Sequence, residues 1–172
     1  ALFGNILSEQ YTKPDRTHLP AKGTLSKLHS YWINTQLDLE SAVAQYGLET
    51  PVDFDELRHL FDLYNERKRR SSACDYDDLL LYWLRLLETP DSPASSVFTY
   101  VMVDEYQDTN VLQAKILEKI GEYTDNIVVV GDDAQAIYSF RGATVDNMLQ
   151  FEATFPNTKR LKIEQNYRSV QA

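Results

Sequence analysis

The sequence predicts an α/β fold, with a helical segment over residues 1–95 and a β-α-β-α-β pattern of parallel-sheet type over residues 96–172. Three observations carry this reading. Apolar residues recur at three- and four-residue spacing through the first segment, as one face of a helix requires. From Val97 onward short, nearly continuous apolar runs replace that periodicity. Helical patterns separate those runs, and parallel strands need such a crossover between them.

Taken in order, Thr24 to Gln36 places Leu25, Leu28, Trp32 and Ile33 near helical spacing. Asp53 to Arg70 repeats the pattern with Phe54, Leu57, Leu60, Phe61 and Tyr64, just after Pro51. Asp75 to Glu88 follows with a stripe of Leu79, Leu80, Tyr82, Trp83, Leu86 and Leu87. Asp75, Asp77 and Asp78 stand in its first turn, where negative charge suits the helix dipole. Thr89-Pro90-Asp91-Ser92-Pro93 then breaks the helix. The apolar runs Val97–Val103, Ile127–Val130 and Leu161–Ile163 read as three strands, with helices expected at Val111–Ile120 and Val145–Phe155 between them. Ile127-Val128-Val129-Val130 is so uniformly apolar that it predicts a strand covered on both faces. In such sheets ligands gather at the carboxyl ends of the strands.

Composition narrows the class. The 172 residues are 43% hydrophobic and 25% charged, ample for a folded core. No apolar run approaches the roughly 20 residues of a membrane span. Ala1 to Asn5 shows no basic, apolar leader, and the missing Met suggests a piece of a longer protein. The single cysteine, Cys74, leaves no internal disulfide and suits a reducing, cytoplasmic setting. His18, His29 and His59 lie far apart, without the spacing of a zinc site. Net charge is −9, which disfavours phosphate binding by an overall positive field. The dense basic run Arg67-Lys68-Arg69-Arg70 reads as a solvated helix face. Any grip on nucleic acid would then rest on local sites and base stacking.

The polar strand ends hold the candidate chemistry. The first strand runs into Asp104-Glu105-Tyr106-Gln107-Asp108-Thr109-Asn110. Adjacent acids beside a buried strand are costly unless something charged meets them. In nucleotide hydrolases the first acid of such a pair helps to hold magnesium, and the second positions or deprotonates the attacking water. The second strand ends in Gly131-Asp132-Asp133-Ala134-Gln135, where Gly131 would let the chain turn sharply and Gln135 could sense a phosphate or water. Phe140-Arg141 adds a stacking face and a cation. The third strand ends in Glu164-Gln165-Asn166-Tyr167-Arg168-Ser169, and Arg168 could reach across a cleft to a γ-phosphate.

These three segments, VDEYQDTN, VGDDAQAIYSFRGA and EQNYRS, resemble motifs II, III and IV of UvrD/Rep-type superfamily 1 DNA helicases in sequence, order and spacing. Asp75-Tyr76-Asp77-Asp78-Leu79-Leu80 resembles the helix start that precedes motif II in that family. The resemblance is close from about Asp53 to Ala172 and loose before it. It implies an inserted helical subdomain over 1–95 and, over 96–172, part of a RecA-like P-loop NTPase domain. It further implies ATP and Mg²⁺ as cofactors of the parent protein. Asp104 would coordinate the metal and Glu105 would activate the hydrolytic water. Gln135 would couple the γ-phosphate to the DNA site. Phe140 would stack on a single-stranded base, and Arg141 would link phosphate and DNA. Tyr167 would stack near the adenine, and Arg168 would contact the γ-phosphate. The partners implied are single-stranded DNA, duplex junctions and the remaining helicase domains of the parent chain, with translocation 3′ to 5′. Phe140 stands where the family often has Trp, which keeps an aromatic face.

One part of the family pattern is missing. A Gly-x-x-x-x-Gly-Lys-Thr phosphate loop would precede these motifs, and no lysine here is followed by Ser or Thr. The 172 residues alone are therefore expected not to hydrolyse ATP. Two other readings stay open: a non-catalytic DNA-binding or interaction module of the same shape, and a metal nuclease built from Asp104, Glu105, Asp108, Asp132 and Asp133.

Overall fold

The computed structural model describes residues 2–11, 19–48, 51–132, 145–163 and 165. The elements in chain order are α1 (Leu2–Gln10), α2 (Lys22–Thr35), α3 (Leu39–Tyr46), α4 (Phe54–Arg70), α5 (Tyr76–Glu88), β1 (Val101–Val103), α6 (Val111–Gly121), β2 (Ile127–Val129) and α7 (Val145–Thr154). Short 3-10 turns at Pro93–Ser96 and Tyr106–Asp108 flank β1. Helices α1 and α3 extend the helical reading. Each is short, with too few turns for its periodicity to stand out from the flanking loops.

Side-chain caps set most helix starts. Asp53 accepts the backbone N–H groups of Asp55 and Glu56 at 2.9 and 3.0 Å, and Asp38 accepts that of Ser41 at 2.8 Å. Asp75 with Asp78, and Asn110 with Gln113, form reciprocal capping boxes. Helix α3 ends at Gly47, whose φ of 72° suits a residue without Cβ.

Helices α1 to α4 close around one core of Phe3, Ile6, Leu25, Leu28, Leu39, Leu57, Leu60 and Phe61. A second cluster joins α5 to α6 through Leu84, Leu87, Leu112, Ile116 and Ile120, with Ile33 of α2 packed against it. The helical segment and the strand-bearing segment thus share buried apolar surface. Helix α5 buries only part of the expected stripe, Leu87 with Leu80 packed beside it. Leu84 and Leu87 are buried, while Leu79, Tyr82, Trp83 and Leu86 are exposed. Its sequence is apolar almost all round, so periodicity identifies the helix without selecting its inner face.

Strands β1 and β2 pair in parallel, with Val101 opposite Ile127 and Val103 opposite Val129. Helix α6 makes the crossover between them. The inward residues Val101, Val103, Ile127 and Val129 pack against Tyr106, Leu117 and Phe151. The other face, with Met102 and Val128, is exposed among the described residues. Among the described residues α6 and α7 supply one layer only, so the expected cover on both faces is not seen there. The expected third strand is corrected as well. Residues 161–163 carry no strand pairing, and Leu161 and Ile163 are exposed. An apolar run becomes a strand only where a neighbour takes up its backbone hydrogen bonds.

One residue of the basic run at the end of α4 also departs from expectation. Lys68 is 5% exposed and forms ion pairs at 2.7 Å with both Asp75 and Asp78. Its Nζ lies 4.6 Å from the centre of the Tyr64 ring, and the Tyr64 hydroxyl donates to Asp75 at 3.0 Å. Burial alone would raise the Asp75 carboxyl, yet the hydrogen bond and charge of Lys68 hold it below its ordinary value. Arg67 pairs with Glu9 and Arg70 with Glu66. Lys68 thus leaves the solvated face, while Arg69 and Arg70 stay exposed on it as expected.

Candidate functional site

Asp104 and Glu105 follow β1 directly, at the carboxyl end of the sheet, and both are exposed. Tyr106 anchors the segment from below. Its backbone N–H donates to the Val130 carbonyl at 2.9 Å, and Val130 N–H donates to Val103 O at 2.8 Å. These bonds extend the parallel ladder past β1 and hold the two strand ends side by side. The Tyr106 ring is buried edge-on against Phe151 at 5.4 Å between centres, and burial pushes its hydroxyl up to about 12.

Glu105 has φ 52° and ψ 43°, the left-handed region that non-glycine residues occupy at a cost of about 1–2 kcal/mol. Such strain persists where the surroundings over-determine it. Here Asp104 Oδ1 accepts the Glu105 N–H at 2.9 Å, and the 3-10 turn begins at once with Asp108 N–H bonded to Glu105 O at 2.9 Å. The turn projects Asp104 and Glu105 together from the strand end. No ion pair reaches either acid among the described residues. An exposed carboxylate of this kind is a hard oxygen donor, the chemistry Mg²⁺ selects.

Gln107 ties this segment to the second strand end. It is 2% exposed, and its amide reaches two ways. Nε2 donates to Glu105 Oε2 at 2.6 Å, and Oε1 accepts the backbone N–H of Asp132 at 3.0 Å. Gly131 makes room for that bridge. A Cβ placed there would lie 2.7 Å from Gln107 Oε1. Gly131 does not adopt a positive φ, so close approach, rather than the sharp turn read from the sequence, is what calls for glycine here.

Two further links steady the segment. Asn110, the cap of α6, donates from Nδ2 to Asn34 Oδ1 at 2.8 Å, and Asn34 donates to Asp77 Oδ1 at 2.7 Å. Asn34 sits on α2 and is buried, so one amide joins α2, the start of α5 and the segment after Glu105. Asn147 on α7 donates to Thr109 O at 3.0 Å. Asp108 is partly buried, and its Oδ1 has no hydrogen-bond partner among the described residues.

Asp104 and Glu105 thus stand in succession at the end of β1, and Gln107 links Glu105 to the backbone of Asp132. Gln135, Phe140, Arg141, Tyr167 and Arg168 lie outside the described residues, as does Asp133. Among the described residues no three His, Cys, Asp or Glu side chains gather into a metal-holding group. No described helix is long and apolar enough to cross a membrane. Sequence reasoning missed Gln107 and Asn34. Gln107 lay in plain view within the acidic segment, two residues after Glu105; nothing in the spacing of Asn34 marked it. A shallow hollow lined by Phe98, Thr99, Tyr123, Thr124, Asp125 and Asn126 lies at the opposite, amino ends of the strands, away from these acids.

Comparison with known proteins agrees with the strand-end motifs. Over 120 residues the chain is 39% identical to the ATP-dependent DNA helicase PcrA of Leuconostoc citreum, covering 68% of this chain and 16% of that protein. It is 36% identical over 151 residues to the ATP-dependent DNA helicase UvrD1 of Mycobacterium leprae, covering 80% and 19%. It is 37% identical over 146 residues to the ATP-dependent DNA helicase Rep of Buchnera aphidicola, covering 81% and 21%. The chain therefore spans between 16% and 21% of the length of these relatives. The family model of the UvrD/REP helicase N-terminal domain matches residues 1–156, and the chain belongs to that family.

Proposed function

We propose that the chain forms part of an ATP-dependent DNA helicase, contributing the metal and water side of its hydrolytic site. The observation that carries this is the strained Asp104–Glu105 turn, exposed at the carboxyl end of the parallel pair without a cation to neutralise it among the described residues. Its support comes from relatives that are themselves named ATP-dependent DNA helicases.

In this reading Asp104 would help to hold Mg²⁺, and the metal would supply neutralising charge at the transferred phosphoryl group. Glu105 accepts the proton of the attacking water or fixes its orientation. Gln135 senses the γ-phosphate, and Arg168 stabilises charge upon it. Tyr167 stacks near the adenine. Phe140 stacks on a base of single-stranded DNA, with Arg141 linking that site to the phosphates. The helical segment 1–95 is the inserted subdomain, and 96–172 is part of the RecA-like motor domain. Turnover drives translocation 3′ to 5′ and the opening of duplex junctions. The missing phosphate loop leaves the 172 residues alone without hydrolytic activity.

The test uses Mg²⁺-dependent ATP turnover, with and without single-stranded DNA. In the longer protein Asp104→Asn should abolish turnover and weaken the Mg²⁺ dependence of nucleotide binding. The 172-residue chain should show no turnover. Robust hydrolysis by that chain, or parent-level activity in Asp104→Asn, contradicts the proposal. Cleavage of DNA by the chain with Mg²⁺ or Mn²⁺ would favour a nuclease instead.

A further inference from the structure

We infer that Gln107 is a positioning residue: its side-chain amide sets the orientation of the Glu105 carboxylate and ties it to the backbone at Asp132. The inference rests on the hydrolytic reading of Glu105 and deepens it.

The geometry is directional. Gln107 carries one donor group and one acceptor, and the two are used on different elements. Nε2 donates to Glu105 Oε2 at 2.6 Å, while Oε1 accepts from Asp132 N–H at 3.0 Å. An amide is planar, so the positions of its oxygen and nitrogen are coupled. A shift of the Asp132 backbone therefore re-aims the group that holds Glu105. Because Gln107 is buried, water cannot replace either bond readily. The Glu105 backbone is held in the left-handed region, which restricts where its side chain can start, and the Gln107 bond selects where it ends. Gly131 is the third part. Any Cβ there would lie 2.7 Å from the Gln107 oxygen, so the glycine keeps the bridge intact. The segment after Asp132 carries Gln135, the proposed γ-phosphate sensor. Through Gln107, movement in that segment would be felt at the carboxylate that handles water.

Three substitutions in the longer protein test this. Gln107→Met keeps the shape and removes both bonds. Gln107→Glu keeps an acceptor for Asp132 N–H but replaces the donor to Glu105 with a like charge. Gly131→Ala pushes the amide aside without altering Gln107 or Glu105. All three should lower kcat for ATP hydrolysis about 10- to 100-fold, the range for groups that orient a reacting residue. KM and nucleotide affinity should stay within about twofold, since the ground-state contacts are untouched. If Gln107 only anchors the turn at Asp132, Gln107→Glu would retain parent kcat, and that result overturns the inference. A rise in KM at unchanged kcat overturns it too. Should Gln107→Met fail to fold, the other two variants decide alone. Glu105→Gln is run alongside. If that variant hydrolyses ATP at the parent rate, the reading of Glu105 fails. If it is inactive while the Gln107 and Gly131 variants keep parent kcat, only the present inference fails.

Discussion

Two pairs of acids sit at element ends in this molecule, and their surroundings assign them opposite tasks. Asp75 and Asp78 open α5 as a capping box, and both meet the buried ammonium of Lys68 at 2.7 Å. Asp104 and Glu105 close β1, exposed, with only backbone N–H and the Gln107 amide as partners among the described residues. Both pairs are strings of acids beside apolar sequence. The first has its counter-charge built in and so belongs to the fold. The second has a carboxylate face turned to solvent and strain in its backbone, as the proposed role in holding metal and water requires.

The largest expected effect breaks the first pair. Lys68→Met should destabilise the chain by about 3–5 kcal/mol, because it leaves two partly buried carboxylates without a cation. Urea unfolding measures this, and a loss below about 1 kcal/mol would show that the cluster is solvated after all. Next comes the link between the two regions. Asn34→Ala removes the amide that joins Asn110 to Asp77 and should cost about 1–3 kcal/mol. Native-state hydrogen exchange should then show the start of α6 opening more readily, and unchanged protection there would refute the link. A smaller effect is expected at the second pair. Glu105→Gly relieves a left-handed φ but leaves the buried Gln107 amide N–H without its acceptor, so the two should nearly cancel and stability should change by less than about 1 kcal/mol. A loss well beyond that would mean that the Glu105 side chain serves the fold.

The smallest effect is one of pH. Burial chiefly, and the Lys68 charge with it, hold the His29 imidazole below its ordinary value, against the pull of Asp75, Asp77 and Asp78. Its Nε2 has no hydrogen-bond partner among the described residues. The unfolded chain therefore takes up a proton at His29 before the folded chain does. Stability should be full above about pH 6.5 and decline as pH falls below it, while the lowered Asp75 adds a second decline below about pH 3.8. Thermal melts between pH 8 and pH 5 read the first decline. In His29→Leu that early decline should disappear, and its persistence would place the titration elsewhere.

The sequence made the second pair easier to find than the first. Asp104–Glu105 stands at the end of an apolar run, and a strand end in a parallel sheet is where ligands bind. That logic needs only periodicity and residue type. Lys68 looked like one of four solvated cations, because a helix of 17 residues does not reveal which side its neighbours occupy. The same ambiguity left the inner face of α5 only partly identified: Leu80 and Leu87 pack inward as expected, while Leu79, Tyr82, Trp83 and Leu86 do not. Gln107 was legible as a residue and not as a bridge, since its second partner is the backbone of Asp132, beyond the end of β2. Leu161–Ile163 shows the limit on strands: the apolar run was real, but pairing depends on a neighbour that local sequence does not describe.

The central claim, that Asp104 and Glu105 are held for chemistry and not for the fold, is tested most directly by Glu105→Gln. The substitution keeps size and hydrogen bonding while removing the charge. Melting of the 172-residue chain should change by less than about 0.5 kcal/mol. DNA-stimulated ATP hydrolysis by the longer protein should be lost, with nucleotide binding retained. Hydrolysis at the parent rate, or a large loss of stability, would contradict the claim.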